Sequence, residues 1–275
     1  LAVFFIHAMM QTPRDDRNWV FDLTEKVQVE AHSENQYSLT NIRAFEYDLN
    51  GLERQERIAR SVNVDQLVES WFFLEPFPDS DLFGHTYLSF VFENEAGETD
   101  VISISVEARR EDAEGYSPFL GIFRRYELLY AWSTEKDVHS RIAIHLDHPV
   151  YAYKLELTPE QQKLILQHFI ERTRQLEKTP RFYNTLWSNC TNELAKAVND
   201  AYPGSLPWSP AWVTTGRSPK WLFERGFVQN EYLSFDAYTA RADIRPAIKA
   251  AISEEGPAFS HQWRNKFTAQ IKQSN

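Results

Sequence analysis

The hydrophobic pattern predicts an α+β fold, with strands gathered in the first part of the chain and helices in the second. Up to Leu157 the apolar residues alternate in short runs broken by Gly, Pro, Ser and Asn, the period of half-buried strands. From Thr158 onward they recur every three or four residues, the period of amphipathic helices. The composition agrees: 275 residues with 43% hydrophobic and 14% aromatic side chains can build a packed core and are not a disordered chain.

The first ten residues, from Leu1 to Met10, are nearly all apolar. Ten helical residues reach only about 15 Å, half a bilayer core, so residues 1–10 are expected to be the tail of an N-terminal signal or membrane anchor. The alternative is a buried first strand. Residues 11–23, with Pro13 and clustered charges, read as an extended lead-in. Lys26 to Ala31 and Tyr37 to Tyr47 alternate around Ser33-Glu34-Asn35, which predicts a hairpin. Gln66 to Phe73 is the next strand, closed by Pro76 and Pro78. His85 to Phe92 and Asp100 to Glu107 flank a Glu95-Ala96-Gly97 turn, and Tyr126 to Ser133 and Val150 to Leu157 complete the sheet.

A helix begins after Thr158, which caps it, with Pro159 in the first turn and Gln161 completing a capping box. It is expected to run to about Glu177 and to stop before Pro180. A second helix starts around Asn189 to Thr191 and carries Leu194, Ala197, Val198 and Ala201 on one face. Beyond Pro203 the chain is rich in Pro and Trp. Shorter helices are predicted near Pro219 to Arg225, Ala242 to Ile252 and the C-terminus. Residues 11–235 are thus expected to form one catalytic-sized domain, with 236–275 a helical extension packed on it.

Charge and cysteine content narrow the function. The formal net charge is −10 with no long basic run, which argues against a nucleic-acid partner and against attraction to anionic lipid headgroups. Membrane association would then rest on apolar or covalent anchoring. Cys190 is the sole cysteine, so no internal disulfide exists and its neighbours must say whether the thiol is reactive or a small buried hydrophobe.

Cys190 stands where an aromatic, polar loop, Tyr183 to Asn189, meets an apolar-periodic helix. A helix N-terminus offers free amide hydrogens and partial positive charge, which stabilise a thiolate and can hold an oxyanion; Asn189 and Thr191 flank it as oxyanion or supporting residues. In Gly84-His-Thr-Tyr-Leu-Ser-Phe90 the alternation sets Leu88 and Phe90 on one face and His85, Tyr87 and Ser89 on the other. On the next strand Ile102, Ile104 and Val106 are the apolar face, with Ser103, Ser105 and Glu107 opposite. Matching the apolar faces around Ala96 sets Phe90 against Ile102, and the same register sets His85 against Glu107. A carboxylate beside an imidazole orients it and raises its basicity, as in a catalytic triad. Singly, His85 also fits a satisfied histidine on a half-exposed sheet, and Glu107 a cross-strand partner for Arg109.

Four stretches carry a family resemblance: Tyr183-Asn-Thr-Leu with Asn189-Cys-Thr, Gly84-His-Thr with Leu88-Ser-Phe, Ser105-Val-Glu-Ala-Arg-Arg-Glu111, and Arg124-Arg-Tyr-Glu-Leu-Leu-Tyr130. They resemble the Lnb N-terminal periplasmic domain family. Asp15-Asp-Arg-Asn-Trp19, Asn41-Ile-Arg-Ala-Phe-Glu-Tyr47 and Asp137-Val-His-Ser-Arg141 also fit, so the likeness spans about residues 12–230. One departure is Asn192, where family members often carry a second Thr. The resemblance implies a permuted papain-like (NlpC-type) fold, in which an antiparallel sheet carrying the His precedes a helix N-terminus carrying the Cys. It implies Cys190 as nucleophile, His85 as base and Glu107 as orienter, without a cofactor. It further implies a periplasmic enzyme, exported by or anchored through its N-terminal segment. Such an enzyme takes an acyl chain from a phospholipid as a thioester and passes it to the amino group of a lipoprotein.

Two other readings stay open: a periplasmic cysteine amidase or peptidase acting on cell-wall peptides, and a non-catalytic binding domain. His145-Leu-Asp147-His148 offers metal-ligand residue types at an expected strand end, but no fourth ligand follows at a recognisable spacing, so no metal is assigned. Gly204 and Gly216 form no phosphate-binding pattern. The stretch from Trp208 to Trp221 is expected to be a packed cover over the sheet, or else a lipid- or substrate-facing lip.

Overall fold

The computed structural model describes residues 10–78, 80–229 and 234–272. The expected signal or anchor segment, up to residue 9, lies outside them. The architecture is mixed α+β around one mostly antiparallel sheet. Its strands are β1 (Gln28–Ala31), β2 (Gln36–Arg43), β5 (Arg57–Asn63), β6 (Leu67–Pro76), β7 (Gly84–Glu93), β8 (Thr99–Arg109), β9 (Glu127–Thr134) and β10 (Tyr151–Lys154). Their spatial order is β1-β2-β9-β8-β7-β6-β10, with β5 also paired to β2; a parallel contact joins β2 to β9 at Arg43 and Ser133. A separate hairpin pairs β3 (Glu46–Asp48) with β4 (Gly51–Arg54).

The β7–β8 register is the one read from the apolar faces, with Phe90 opposite Ile102 and Tyr87 opposite Ser105. Leu88, Phe90, Ile102, Ile104 and Val106 enter the larger core, each burial contributing about 2 kcal/mol. Helix α2 (Pro159–Lys178) covers that face with Ile165, Leu166, Phe169 and Ile170, and α3 (Cys190–Ala201) adds Leu194 and Ala195. Helix α2 begins with the expected capping box, the Thr158 hydroxyl accepting from the Gln161 amide and the Gln161 side chain accepting from the Thr158 amide.

The second face is not the half-exposed surface the alternation suggested. Trp71, Phe73, Tyr87, Val91 and Val101 are buried there beneath α6 (Arg245–Ala251) and α7 (Gly256–Lys272), against Ala247, Ile248, Phe259 and Trp263. Ser89 and Ser103 are tolerated on this covered face because their hydroxyls bond one another at 2.8 Å. Two short helices, α4 (Ser218–Glu224) and α5 (Phe235–Thr239), fill the path from α3 to α6.

Three local readings are corrected. The strand expected from Tyr37 to Tyr47 is divided: Asn41 takes a left-handed φ of 62°, the β2–β5 register shifts between Leu39 and Ile42, and the Phe45 amide leaves the ladder for the Asp137 carboxylate at 2.7 Å. Strand β5 was not visible because Arg57, Arg60 and Ser61 dilute its apolar positions, as suits a strand paired on one side. The expected strand end around His145 is instead a helical turn. Helix α1 (Glu135–Ser140) is capped by Thr134 and runs on into a wider turn over Arg141–His145.

Candidate active site

Cys190 is the first residue of α3, and Asn189 caps that helix: its side-chain oxygen accepts from the Asn192 amide at 2.7 Å. Its amide nitrogen donates to the carbonyls of Thr185 and Trp212, both at 2.8 Å. With both hydrogens committed, the Asn189 side chain supports the loop and is not an oxyanion donor. The backbone amides of Cys190 and Thr191, first in the helix, have no intrahelical acceptor. The Thr191 hydroxyl bonds Thr86 Oγ1 at 2.9 Å and so ties the helix start to the histidine strand.

That tie brings β7 against α3. Cys190 Sγ lies 3.9 Å from both the Gly84 carbonyl and the Thr191 hydroxyl, and the thiol lines the same cavity as His85 and feels its charge. On the far side of the ring, His85 Nε2 is 3.1 Å from Glu107 Oε1. Nδ1 is therefore the ring nitrogen that Glu107 leaves free. The Ser105 hydroxyl donates to the same Glu107 oxygen at 2.6 Å. Arg109, the rival partner for Glu107, turns to Asp15 and to the carbonyls of Leu23 and Thr24. The structure thus brings Cys190, His85 and Glu107 into one row.

The electrostatics of the row are mutually consistent. Burial pushes the Cys190 thiol up, but the hydrogen bond and charge of His85 and the Thr86 amide outweigh it, and the thiol is held below its ordinary value. Burial likewise lowers His85, yet the Glu107 charge and the contact with Cys190 leave it raised well above its ordinary value. For Glu107 burial is again opposed and overcome, here by the His85 charge, and the carboxyl sits well below the usual carboxylate range. Thiol down and imidazole up is the pattern of a thiolate–imidazolium pair.

Several residues of this site were not singled out from sequence. Thr215 is the main one: its hydroxyl accepts from the Gly84 amide at 2.9 Å and donates to the Gly84 carbonyl at 2.6 Å, clamping the peptide just before His85. A side chain at Gly84 would place Cβ 2.6 Å from the Glu75 carbonyl, so the glycine permits the close β6–β7 approach at this point. Tyr116 and Tyr183 line the cavity with hydroxyls 3.2 Å apart; burial pushes both up, Tyr116 to about 12, so both are neutral phenols. Tyr183 belongs to a quoted motif, which was the available signal; Tyr116 and Thr215 carried none.

The Asp137-Val-His-Ser-Arg141 motif proves to be a buttress. Asp137 is fully buried and holds the Arg43 guanidinium at 2.9 Å, while His139 Nδ1 meets the Tyr87 hydroxyl at 3.0 Å under the strand that carries His85. His145, Asp147 and His148 diverge to three partners: the Tyr47 ring, Lys249 and Glu75. Among the described residues no group of three or more His, Cys, Asp or Glu is arranged to hold a metal ion.

Cys190, His85 and Glu107 line a cavity of about 240 Å³ whose wall also includes Phe83, Tyr116 and Tyr183 and the charged Arg110, Arg141 and Glu75. The sequence profile described as the Lnb N-terminal periplasmic domain matches residues 54–215, more than half of the chain. The chain belongs to the Lnb N-terminal periplasmic domain family. The matched span is narrower than the quoted motifs suggested, but it contains His85, Glu107 and Cys190 and ends on Thr215. Family membership puts the chain in the periplasm. No curated protein and no solved structure matches it. Among the described residues no helix is long and apolar enough to cross a membrane.

Proposed function

We propose that this chain is a cysteine acyl-transfer enzyme of permuted papain-like plan, working through a thioester on Cys190. The observation that carries the proposal is the row Cys190–His85–Glu107, a thiol at a helix N-terminus beside an imidazole whose other nitrogen meets a carboxylate 3.1 Å away. The Cys190 thiolate attacks the carbonyl carbon of an acyl ester. The amides of Cys190 and Thr191 stabilise the oxyanion, and the His85 imidazolium gives its proton to the departing alcohol oxygen. In the second half an amine enters, His85 takes its proton, nitrogen bonds to the acyl carbon, and the thiolate leaves. Glu107 keeps the ring oriented throughout and does not react.

The family resemblance favours a phospholipid-type acyl donor and the amino group of a lipoprotein as acceptor. A second reading, hydrolysis of a polar peptide, is favoured by the charged residues in the cavity lining, Arg110, Arg141, Glu75 and His148. The test is intact mass after incubation with phospholipid vesicles. An added fatty-acyl mass that hydroxylamine removes supports acyl transfer. An unmodified chain that releases peptides from purified cell wall supports the second reading.

A further inference from the structure

The charged side chains lining the Cys190 cavity are mostly spent on one another. Glu107 meets His85 at 3.1 Å, and Glu75 meets His148 at 2.7 Å. Arg43 donates from Nε to both oxygens of Asp137 at 3.0 Å. Two lining guanidiniums remain. Among the described residues Arg110 forms no salt bridge and its side chain donates no hydrogen bond; its carbonyl accepts from the Val20 amide. Arg141 Nε reaches Asp22 only at 3.9 Å, beyond hydrogen-bond distance, and Asp22 is shared with Arg43 at the same separation.

A guanidinium carries a full charge and five N–H donors in a planar fork. Other arginines of this fold use that fork on protein acceptors. Arg109, one residue before Arg110, holds Asp15 and the carbonyls of Leu23 and Thr24, and Arg17 holds Glu111 and Glu127. Arg110 and Arg141 are partly buried in the cavity wall with their donors unspent on the protein. The charge of Arg141 reaches the reacting row, where it is among the causes that hold Glu107 low. The two guanidiniums and the Cys190 thiol thus share one cavity of about 240 Å³.

We propose that Arg110 and Arg141 form a phosphate subsite in the Cys190 cavity, which selects a substrate carrying a phosphate ester. A carboxylate is planar and one guanidinium fork satisfies it, whereas the tetrahedral oxygens of a phosphate accept from two forks at once. Two unspent forks in one small cavity therefore suit phosphate better. The inference deepens the acyl-transfer reading by assigning residues to the anionic group of the donor. The use of that group in a reaction rests on that reading; its binding does not.

The test is a phosphorus NMR titration of the full chain with dimethyl phosphate, a diester, and with inorganic phosphate. The native sequence is compared with Arg110→Gln, Arg141→Gln and their combination. Each single substitution is expected to weaken diester binding about tenfold, the worth of one charge-assisted hydrogen bond. Neither arginine has a protein partner at hydrogen-bond distance, so the variants are expected to melt like the native chain. Lys220→Gln, which removes an exposed cation on α4, is expected to bind the diester normally. Iodoacetamide locates the ligand: dimethyl phosphate is expected to slow alkylation of Cys190 in the native chain, and acetate at equal ionic strength is expected not to. Diester binding that is absent from the native chain, or unchanged in the double variant, overturns the proposal. Protection by acetate equal to that by the diester would assign the subsite to a carboxylate and also overturn it. Binding of inorganic phosphate without the diester would assign a free phosphate ligand and overturn it likewise. A chain that binds the diester through both arginines yet forms no acyl-enzyme with phospholipid counts against the reaction and leaves the subsite standing.

Discussion

Replacing Glu107 by Gln removes one charge and keeps the shape of the group. In the native chain Glu107 Oε1 and His85 Nε2 are 3.1 Å apart, a separation at which unit charges attract by about 5 kcal/mol for an effective dielectric near 20. Glu107 is 27% exposed and the Ser105 hydroxyl stays in place, so the His85 pKa is expected to fall, but by less than that attraction alone implies. The sign follows from the native shifts. A raised His85 pKa contributes stability that is complete below its unfolded value near 6.5 and is lost as pH rises through the folded value. A lowered Glu107 pKa contributes stability complete above its unfolded value near 4.5 and lost as pH falls through the folded value. Glu107→Gln should therefore cost most stability between about pH 5 and 6, with the deficit shrinking in base. The assay is an NMR titration of the His85 ring beside melting curves at several pH values. A lowered melting temperature with an unmoved His85 titration refutes the orienting role and leaves Glu107 a structural partner of Ser105.

Three other outcomes follow from the same geometry. Cys190→Ala and His85→Ala should each abolish acyl-enzyme turnover, and the double variant should be no worse than either alone, because the pair acts as a unit; additive losses in a steady-state comparison would contradict this. Gly84→Ala should destabilise the fold by about 1–3 kcal/mol and slow Cys190 alkylation, since its Cβ would meet the Glu75 carbonyl at 2.6 Å and push His85 off the thiol; a chain of native stability and reactivity would contradict it. Glu193 is fully buried among Arg172, Arg181 and Lys196, and burial, which raises it, is overcome by those cations, leaving its pKa at about 2. That shift contributes about 3 kcal/mol above its unfolded value near 4.5, lost as pH falls toward 2, so acid unfolding should begin at higher pH in Glu193→Gln.

The elements legible in the sequence are those whose physics is local. Thr158 and Gln161 announce a helix start because both partners of the capping box lie within one turn. The β7–β8 register was readable because one face had to be apolar, and that alone set His85 toward Glu107. Cys190 at a helix start was readable from the change of period. The rest depends on contacts far apart in the chain. The Thr215 clamp on Gly84 joins residues 131 positions apart, and no local pattern marks it. Burial of the second sheet face depends on where α6 and α7 dock, which helical periodicity does not encode. Strand β5, carrying Arg57 and Arg60, reads as a charged loop until β2 is beside it. Asp137 looks like a surface residue in sequence and becomes a buried anchor only when Arg43 arrives from β2.

The most direct test of the Cys190–His85 pair is the pH dependence of iodoacetamide alkylation, unambiguous because Cys190 is the sole thiol in the chain. The pairing predicts rapid alkylation well below the ordinary thiol value near 8.5, and a His85→Ala variant whose midpoint moves to or above that value. A native midpoint at or above 8.5, unchanged by His85→Ala, would contradict it.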